Sequence, residues 1–394
     1  MTSGFYVLLL AQFLSALADN ALLFAAIALL KEIAAPSWHE PLLLQFFVIS
    51  YVVLAPFVGS FADAIPKGRV MLIANTIKFI GCIGMILGMP VLYAYAIVGV
   101  GAATYSPAKY GILTELLPSN KLVSANGWME GSTVIAIILG AIVGGVLASH
   151  NPHIAMLAIA FMYLVAAVFN LFIPKTAKNH LPESKSPLFI IRDFYHSFIT
   201  LWKDAEGQVS LGVTTLFWGA GATLRLVVIA WAGVVLSFDF EHATQLTAMV
   251  ALGVTLGSVI AAKIITLENS VKVLPAGILM GLMVMAMMLV SNWLIASFLL
   301  FLIGVLGGFF VVPLNALLQH RGHVLIGPGH SIAVQNFNEN LGILVLSGAY
   351  TLMVKGNIHI NHIVIIFGLF VVISMSFINR LYRRQIAKAV NLGD

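Results

Sequence analysis

Charge is scarce in this chain: Asp, Glu, Lys and Arg make up 9% of its 394 residues, while 60% are hydrophobic. Soluble domains carry roughly 25% charged residues, so this chain has too few to cover a water-facing surface. With a mean hydropathy of +1.02 it reads as an integral membrane protein. The single cysteine, Cys82, lies in an apolar run, which excludes an intrachain disulfide and points to packing. There is no HExxH, GxSxG or Walker A sequence, so neither a catalytic constellation nor a cofactor is expected. Most of the eleven histidines fall at loops or span edges; His320, His323 and His330 read as interfacial polar residues, not as a metal site. The basic C-terminal run RLYRRQIAK suits an anchor against anionic membrane lipid, and nucleic acid is not an expected partner. The first hydrophobic run has no basic n-region and reads as a retained helix, not a cleaved signal.

What the chain has in abundance is apolar windows of about 20 residues, the length needed to cross a bilayer. Twelve are expected, the first near 6–30 and the last near 359–379, with tight hairpins at Pro90 and near Ser291-Asn292. The longest polar stretch begins at Lys175 and contains FIIRDFYHSFITLWKDAEG, whose apolar residues recur at helical spacing, as in an amphipathic helix on a membrane surface. This linker divides the chain into a six-helix half at 1–174, a linker at 175–207, a second six-helix half at 208–380 and a tail at 381–394. Placing the linker in the cytoplasm puts Lys67, Arg69, Lys121, Arg192, Arg321 and Arg383 on that side, with Lys31 and Lys355 outside, so both termini are expected in the cytoplasm.

Polar residues punctuate this layout in repeated patterns. The stretch GVGAATYSPAKYGILTELLPSN at 99–120 has a Gly-rich start, then Pro107, then Lys109. Residues 304–322, GVLGGFFVVPLNALLQHRG, repeat the scheme with Pro313 and Asn315. Downstream of each, Asn126 and Glu130, then Gln335 and Glu339, stand four apart and share a helix face, as expected of a duplicated carrier. Glu130 and Glu339 are candidates for a gate or a loop-to-helix tether. Between the second and third spans, GSFADAIPKGRVM gathers Gly59, Asp63, Lys67 and Arg69 around a turn; an acid at a helix end with nearby cations can tie neighbouring helix ends together, and glycine permits close approach. The corresponding loop of the second half, KIITLENSVKVLPAG, departs from that spacing.

Charges far from any membrane edge are costly and mark cavities or partners. Asp19, followed by Asn20, lies near the middle of the first span, and Arg225 near the middle of the seventh. The two have opposite signs in equivalent places, so they are read either as a pair exchanged for substrate contacts or as a permanent structural salt bridge. Lys109 shares a helix face with Tyr105 beside Pro107 and is read either as a headgroup contact or as a lysine reaching for the cytoplasmic edge; Lys78 carries the same two readings.

Several of these strings together carry a family resemblance. The loop around Asp63 looks like the signature between helices two and three of the major facilitator superfamily. AQFLSALADNALLFAAIALLK, GVGAATYSPAKYGILTELLPSNKLV, LFWGAGATLR and GVLGGFFVVPLNALLQ resemble the bacterial lysophospholipid transporters of that superfamily. The resemblance implies an all-α major facilitator fold of twelve transmembrane helices in two six-helix halves, in a bacterial inner membrane. It implies facilitated import of lysophosphatidylethanolamine and lysophosphatidylglycerol, followed by reacylation by an acyltransferase and acyl-acyl-carrier-protein synthetase. Under it, Arg225 and Lys109 attract the phosphate, Asp19 accepts from an ethanolamine ammonium or controls Arg225, and Gly59, Asp63, Lys67 and Arg69 form a conformational latch. An exporter of drugs or other small amphiphiles is the alternative function, and a nontransporting membrane subunit a third.

Overall fold

The computed structural model describes residues 3–35, 39–174, 186–238 and 240–391. Those residues form α-helices joined by short turns and 3-10 segments: α1 (Ser3–Glu32), α2 (His39–Ala64), α3 (Lys67–Ile86), α4 (Val91–Leu116), α5 (Leu122–His150), α6 (Pro152–Asn170), α7 (Pro187–Lys203), α8 (Ala205–Val235), α9 (Phe240–Ile264), α10 (Leu274–Ala286), α11 (Trp293–Leu325), α12 (Pro328–Lys355) and α13 (Ile360–Asn391). Among the described residues, eleven segments are long and apolar enough to cross a membrane. In lipid a helix satisfies its own backbone hydrogen bonds, which is why so apolar a chain folds this way. Of the expected linker, 175–185 lies outside the described residues, and the amphipathic segment is the helix α7.

α12 is not among the eleven spans, for a chemical reason. Its 28 residues give about 42 Å at 1.5 Å per residue, ample for a bilayer. Its first half, however, carries His330, Gln335, Asn336, Asn338 and Glu339, all buried, so the polarity that lowers its hydropathy faces protein. α4 is also enclosed: 72% of its most apolar window is buried, against 50% or less for the other spans.

The chain divides into two compact units. Unit 1 comprises 1–121, 132–200 and 322–337; unit 2 comprises 122–131, 201–321 and 338–394. The first ten residues of α5 thus belong to unit 2, while the end of α11 and the start of α12 belong to unit 1. Within unit 1, α3 packs against α4 and α6, α1 against α6, and α2 against α4. Ala21, Leu22, Met85, Val98, Ile159 and Tyr163 belong to its apolar core. Within unit 2, α13 packs against α8 and α10. There α9 and α11 meet through two small-residue pairs, Gly253 with Gly257 and Gly304 with Gly308, where any Cβ would collide with the facing backbone. Lipid supplies no hydrophobic force between helices, so such close backbone packing does that work.

Candidate functional site

In unit 1, α1, α3, α4 and α6 converge on a polar cluster inside an apolar bundle. The Lys78 ammonium donates to Asp19 Oδ2 at 2.6 Å and to Ser15 Oγ at 3.0 Å. Tyr163 donates its hydroxyl to Asp19 Oδ1 at 2.8 Å, and Ser15 donates to Asn75 Oδ1 at 2.7 Å. The Lys78 ammonium also lies 4.8 Å from the centroid of the Tyr105 ring, within cation–π range. Its side chain is 1% exposed, so the lysine does not extend to the membrane edge; Asp19 remains 22% exposed. α3 and α4 approach closely enough for this because of Gly101, where a Cβ would sit 2.6 Å from Lys78 Cγ and 2.7 Å from the Ala74 carbonyl. The cation that holds Asp19 is therefore Lys78, 59 residues away in sequence, a partner the sequence reading did not assign. Asn20 turns back on its own helix, donating to the Ala16 carbonyl at 2.8 Å.

Lys109 lies further along α4. Its ammonium is 3.3 Å from Thr133 Oγ1 and 4.6 Å from the Tyr110 ring centroid, and the residue is 8% exposed, so it is held inside the protein. Pro107, two residues earlier, has no N–H for the Ala103 carbonyl, and Pro313 likewise leaves the Phe309 carbonyl of α11 without its regular partner.

A second polar cluster in unit 1 joins the end of α2 to the start of α12. Asp63 Oδ1 accepts from the Gly329 amide at 2.8 Å and from Lys67 at 2.5 Å. Asp63 Oδ2 accepts from the His330 amide at 3.1 Å and meets His330 Nδ1 at 2.7 Å. A carboxylate on the first free N–H groups of a helix satisfies orphan donors and complements the helix dipole. Lys67 also donates to the Ala62 carbonyl at 2.7 Å and lies 3.5 Å from Glu115. Gly59 makes room: a Cβ there would come within 3.0 Å of His330 Cα and 3.2 Å of the Gly329 carbonyl oxygen. Arg69, by contrast, is exposed on the first turn of α3. His330 corrects the sequence reading of an interfacial residue: it is 5% exposed, and its Nε2 lies 3.0 Å from Ser60 Oγ and 3.1 Å from Asp193 of α7. The available signal was the helix start at Gly327 to Gly329, whose free amides suit a carboxylate, here that of Asp63, 266 positions away in sequence.

The repeated polar pairs also find partners. In unit 2, Asn126 and Gln319 exchange side-chain hydrogen bonds at 2.9 and 2.8 Å, and Asn315 donates to Glu130 at 3.1 Å. In unit 1, Ser106 donates to Asn336 at 3.1 Å, and Thr114 lies 3.2 Å from His323. The start of α5 is thereby joined to α11, and the start of α12 to α4, the same scheme in two places. Glu339 is buried, 8% exposed. At the base of α8, Asp204 accepts from the Gly207 amide at 2.9 Å and from both Arg321 Nε and Nη2, the former at 3.1 Å. Burial alone would raise the Asp204 carboxyl, but the bonds from Arg321 and the Gly207 amide hold it below its ordinary value.

Arg225 is exposed on α8, midway along a membrane-spanning helix, and among the described residues no carboxylate lies within the 4.0 Å of an ion pair. A cation so placed is costly against lipid and needs water or an anion. No group of three or more potential metal ligands occurs among the described residues.

Residues 8–347 match the Major Facilitator Superfamily. The chain is 47% identical to the lysophospholipid transporter LplT of Yersinia enterocolitica over 356 residues, 90% of this chain and 88% of that one. It is 49% identical to the LplT of Citrobacter koseri over 368 residues, 93% and 92% of the two chains. Among solved structures, the human organic anion transporter MFSD10 superposes with a TM-score of 0.77 at 14% identity, covering 97% of this chain and 100% of that one. The transporter FucP in its outward conformation gives 0.75 at 15%, covering 97% and 98%. At such identities these two speak for the fold. The chain belongs to the Major Facilitator Superfamily, within its branch of bacterial lysophospholipid transporters.

Proposed function

We propose that this protein moves lysophospholipids across a bacterial inner membrane, without enzymatic chemistry, and that Arg225 holds the lipid phosphate. The sequence likeness to lysophospholipid transporters over nine-tenths of the chain supports the substrate class. The observation that carries the site assignment is an exposed arginine on a membrane-spanning helix with no carboxylate partner among the described residues. A phosphodiester supplies the anion that arginine lacks, through charge-assisted hydrogen bonds. Asp19, partly exposed and already bound to Lys78 and Tyr163, is the acid that unit 1 offers to a cationic group. Phosphatidylethanolamine- and phosphatidylglycerol-derived lysolipids are the proposed cargo, delivered to an acyltransferase and acyl-acyl-carrier-protein synthetase for reacylation.

The proposal includes twelve spans in two six-helix halves with both termini in the cytoplasm. α12 serves as the twelfth span, its buried polar half explaining its low hydropathy. The α5–α11 and α4–α12 contacts are the pattern expected of a duplicated carrier that alternates its exposure. Gly59, Asp63, Lys67 and His330 form the latch at one end of that motion. Vesicles reconstituted with purified protein and labelled lysophosphatidylethanolamine test the function. Protein-dependent movement of the label is expected; movement of an unrelated amphipathic drug with none of the lysolipid would transfer the assignment to a drug exporter.

A further inference from the structure

Unit 2 contains a cavity of about 490 Å³ bounded by α8, α12 and α13, with Trp202 of α7 at one end. Its volume falls within the roughly 300–1,000 Å³ of small-molecule pockets. Along α13 it runs from Phe370 to Leu381, which at 1.5 Å per residue is about 16 Å. That is half of a hydrocarbon core about 30 Å thick, the depth of one leaflet.

The lining is sorted by polarity along this length. Gln208 begins α8, Asn338 lies in the first half of α12 and Leu381 late in α13, and a 2.8 Å hydrogen bond from Gln385 to Gln208 brings these ends together. Trp202, Gln208 and Asn338 therefore mark a polar end, while Leu346 and Phe370 mark an apolar one. The side is open where Val345 is 60% exposed and Phe377 64%, so the cavity communicates with the surface that spanning helices turn to lipid. Two cations flank the polar end. Lys203 follows Trp202, and Arg384 stands one turn beyond Leu381 on the edge of the same helix face; both are exposed. The neighbouring acids Asp204 and Glu206 are taken up by Arg321, at 3.4 Å for Glu206. The Thr215 hydroxyl, midway along, is buried with no hydrogen-bond partner among the described residues.

We infer that this cavity binds one acyl chain of an anionic membrane phospholipid, whose phosphate headgroup rests between Lys203 and Arg384. The polar end, the leaflet-deep apolar channel, the lateral opening and the cationic rim match the four parts of such a lipid. Arg225 is not among the lining residues, so this is a resident lipid's site, separate from the proposed cargo site.

The test uses full-length protein in mixed micelles with phospholipids brominated on the acyl chain, which quench nearby tryptophan. The Trp202 signal is the difference between the unaltered protein and Trp202→Phe. Brominated phosphatidylglycerol is expected to quench it at lower mole fraction than brominated phosphatidylcholine. Lys203→Gln and Arg384→Gln should each weaken that headgroup preference about fivefold. Ser374→Phe, which fills the channel, should abolish saturable quenching by both lipids; if it does not fold, Val345→Phe at the mouth provides the same blockade. Equal quenching by the two headgroups, or quenching unchanged by channel filling, would overturn the inference. Displacement of brominated phosphatidylglycerol by equimolar lysophosphatidylethanolamine would also overturn it, reassigning the channel to the transported lipid. Vectorial movement of labelled lysolipid is measured separately, so failure here leaves the transport assignment standing.

Discussion

Replacing Lys78 by methionine removes the cation from a carboxylate that, among the described residues, is otherwise held by the 2.8 Å hydrogen bond from Tyr163. Lys78 is 1% exposed and Asp19 22%, so the stranded charge sits largely outside solvent. Breaking a buried ion pair from one side costs about 3–5 kcal/mol. The remaining Tyr163 bond and the partial exposure of Asp19 place this case at about 3 kcal/mol, the low end of that range. Asp19→Asn alone strands the ammonium, which keeps Ser15 at 3.0 Å and the Tyr105 ring at 4.8 Å. The double variant removes both charges and should recover most of the loss, giving a coupling of about 2–3 kcal/mol between the two sites. Denaturant unfolding in micelles supplies the four stabilities, and labelled lysolipid movement in vesicles supplies activity. Additive losses, with no recovery in the double variant, would refute the reasoning that Lys78 and Asp19 neutralise each other.

Further consequences concern the latch, the repeat and the base of α8. Gly59→Val should destabilise by about 1–3 kcal/mol, as overpacking does, and accelerate hydrogen exchange at Gly329 and His330; unchanged exchange there would separate Gly59 from the latch. Asn315→Leu leaves the buried Glu130 short of a donor and should cost about 1–3 kcal/mol, checked by unfolding, whereas Glu130→Gln with Asn315 intact should cost less. Because the Asp204 carboxyl is lowered on folding, its stabilisation is complete above its unfolded value of about 3.9 and is lost as pH falls through the folded value. The stability difference between the unaltered protein and Asp204→Asn should thus be flat above about pH 5 and shrink below about pH 4; a difference that grows on acidification would contradict the sign.

The membrane class was legible because apolar windows report the solvent a helix faces, and the Asp63 loop was legible because its acid, cations and glycine are adjacent in sequence. The prolines at 107 and 313 likewise announced two helices that carry polar residues. The partner of Lys78 was not legible because a lysine with a long stem in a third helix fits a cavity contact as well as snorkelling, and only the fold brings it to a residue 59 positions away. Arg69 was grouped with the latch by sequence proximity, yet the helical turn of α3 leaves it exposed. His330 was missed because a histidine at a helix start is ordinarily wet; here two carboxylates and Ser60 surround it. The sequence reading counts α12 among its twelve apolar windows, yet α12 is not among the eleven spans because hydropathy cannot distinguish polarity facing protein from polarity facing lipid.

The most direct test of the central claim is the initial rate of labelled lysophosphatidylethanolamine movement in vesicles containing the unaltered protein, Arg225→Gln or Arg225→Lys. Loss of charge-assisted bonds worth about 1.5–3 kcal/mol predicts a drop of roughly ten- to a hundredfold for glutamine, with partial retention for lysine, which keeps the charge but not the fork geometry. Equal rates for Arg225→Gln and the unaltered protein, at equal incorporation, would contradict the assignment of the phosphate to Arg225, and absence of any protein-dependent movement would contradict the transport itself.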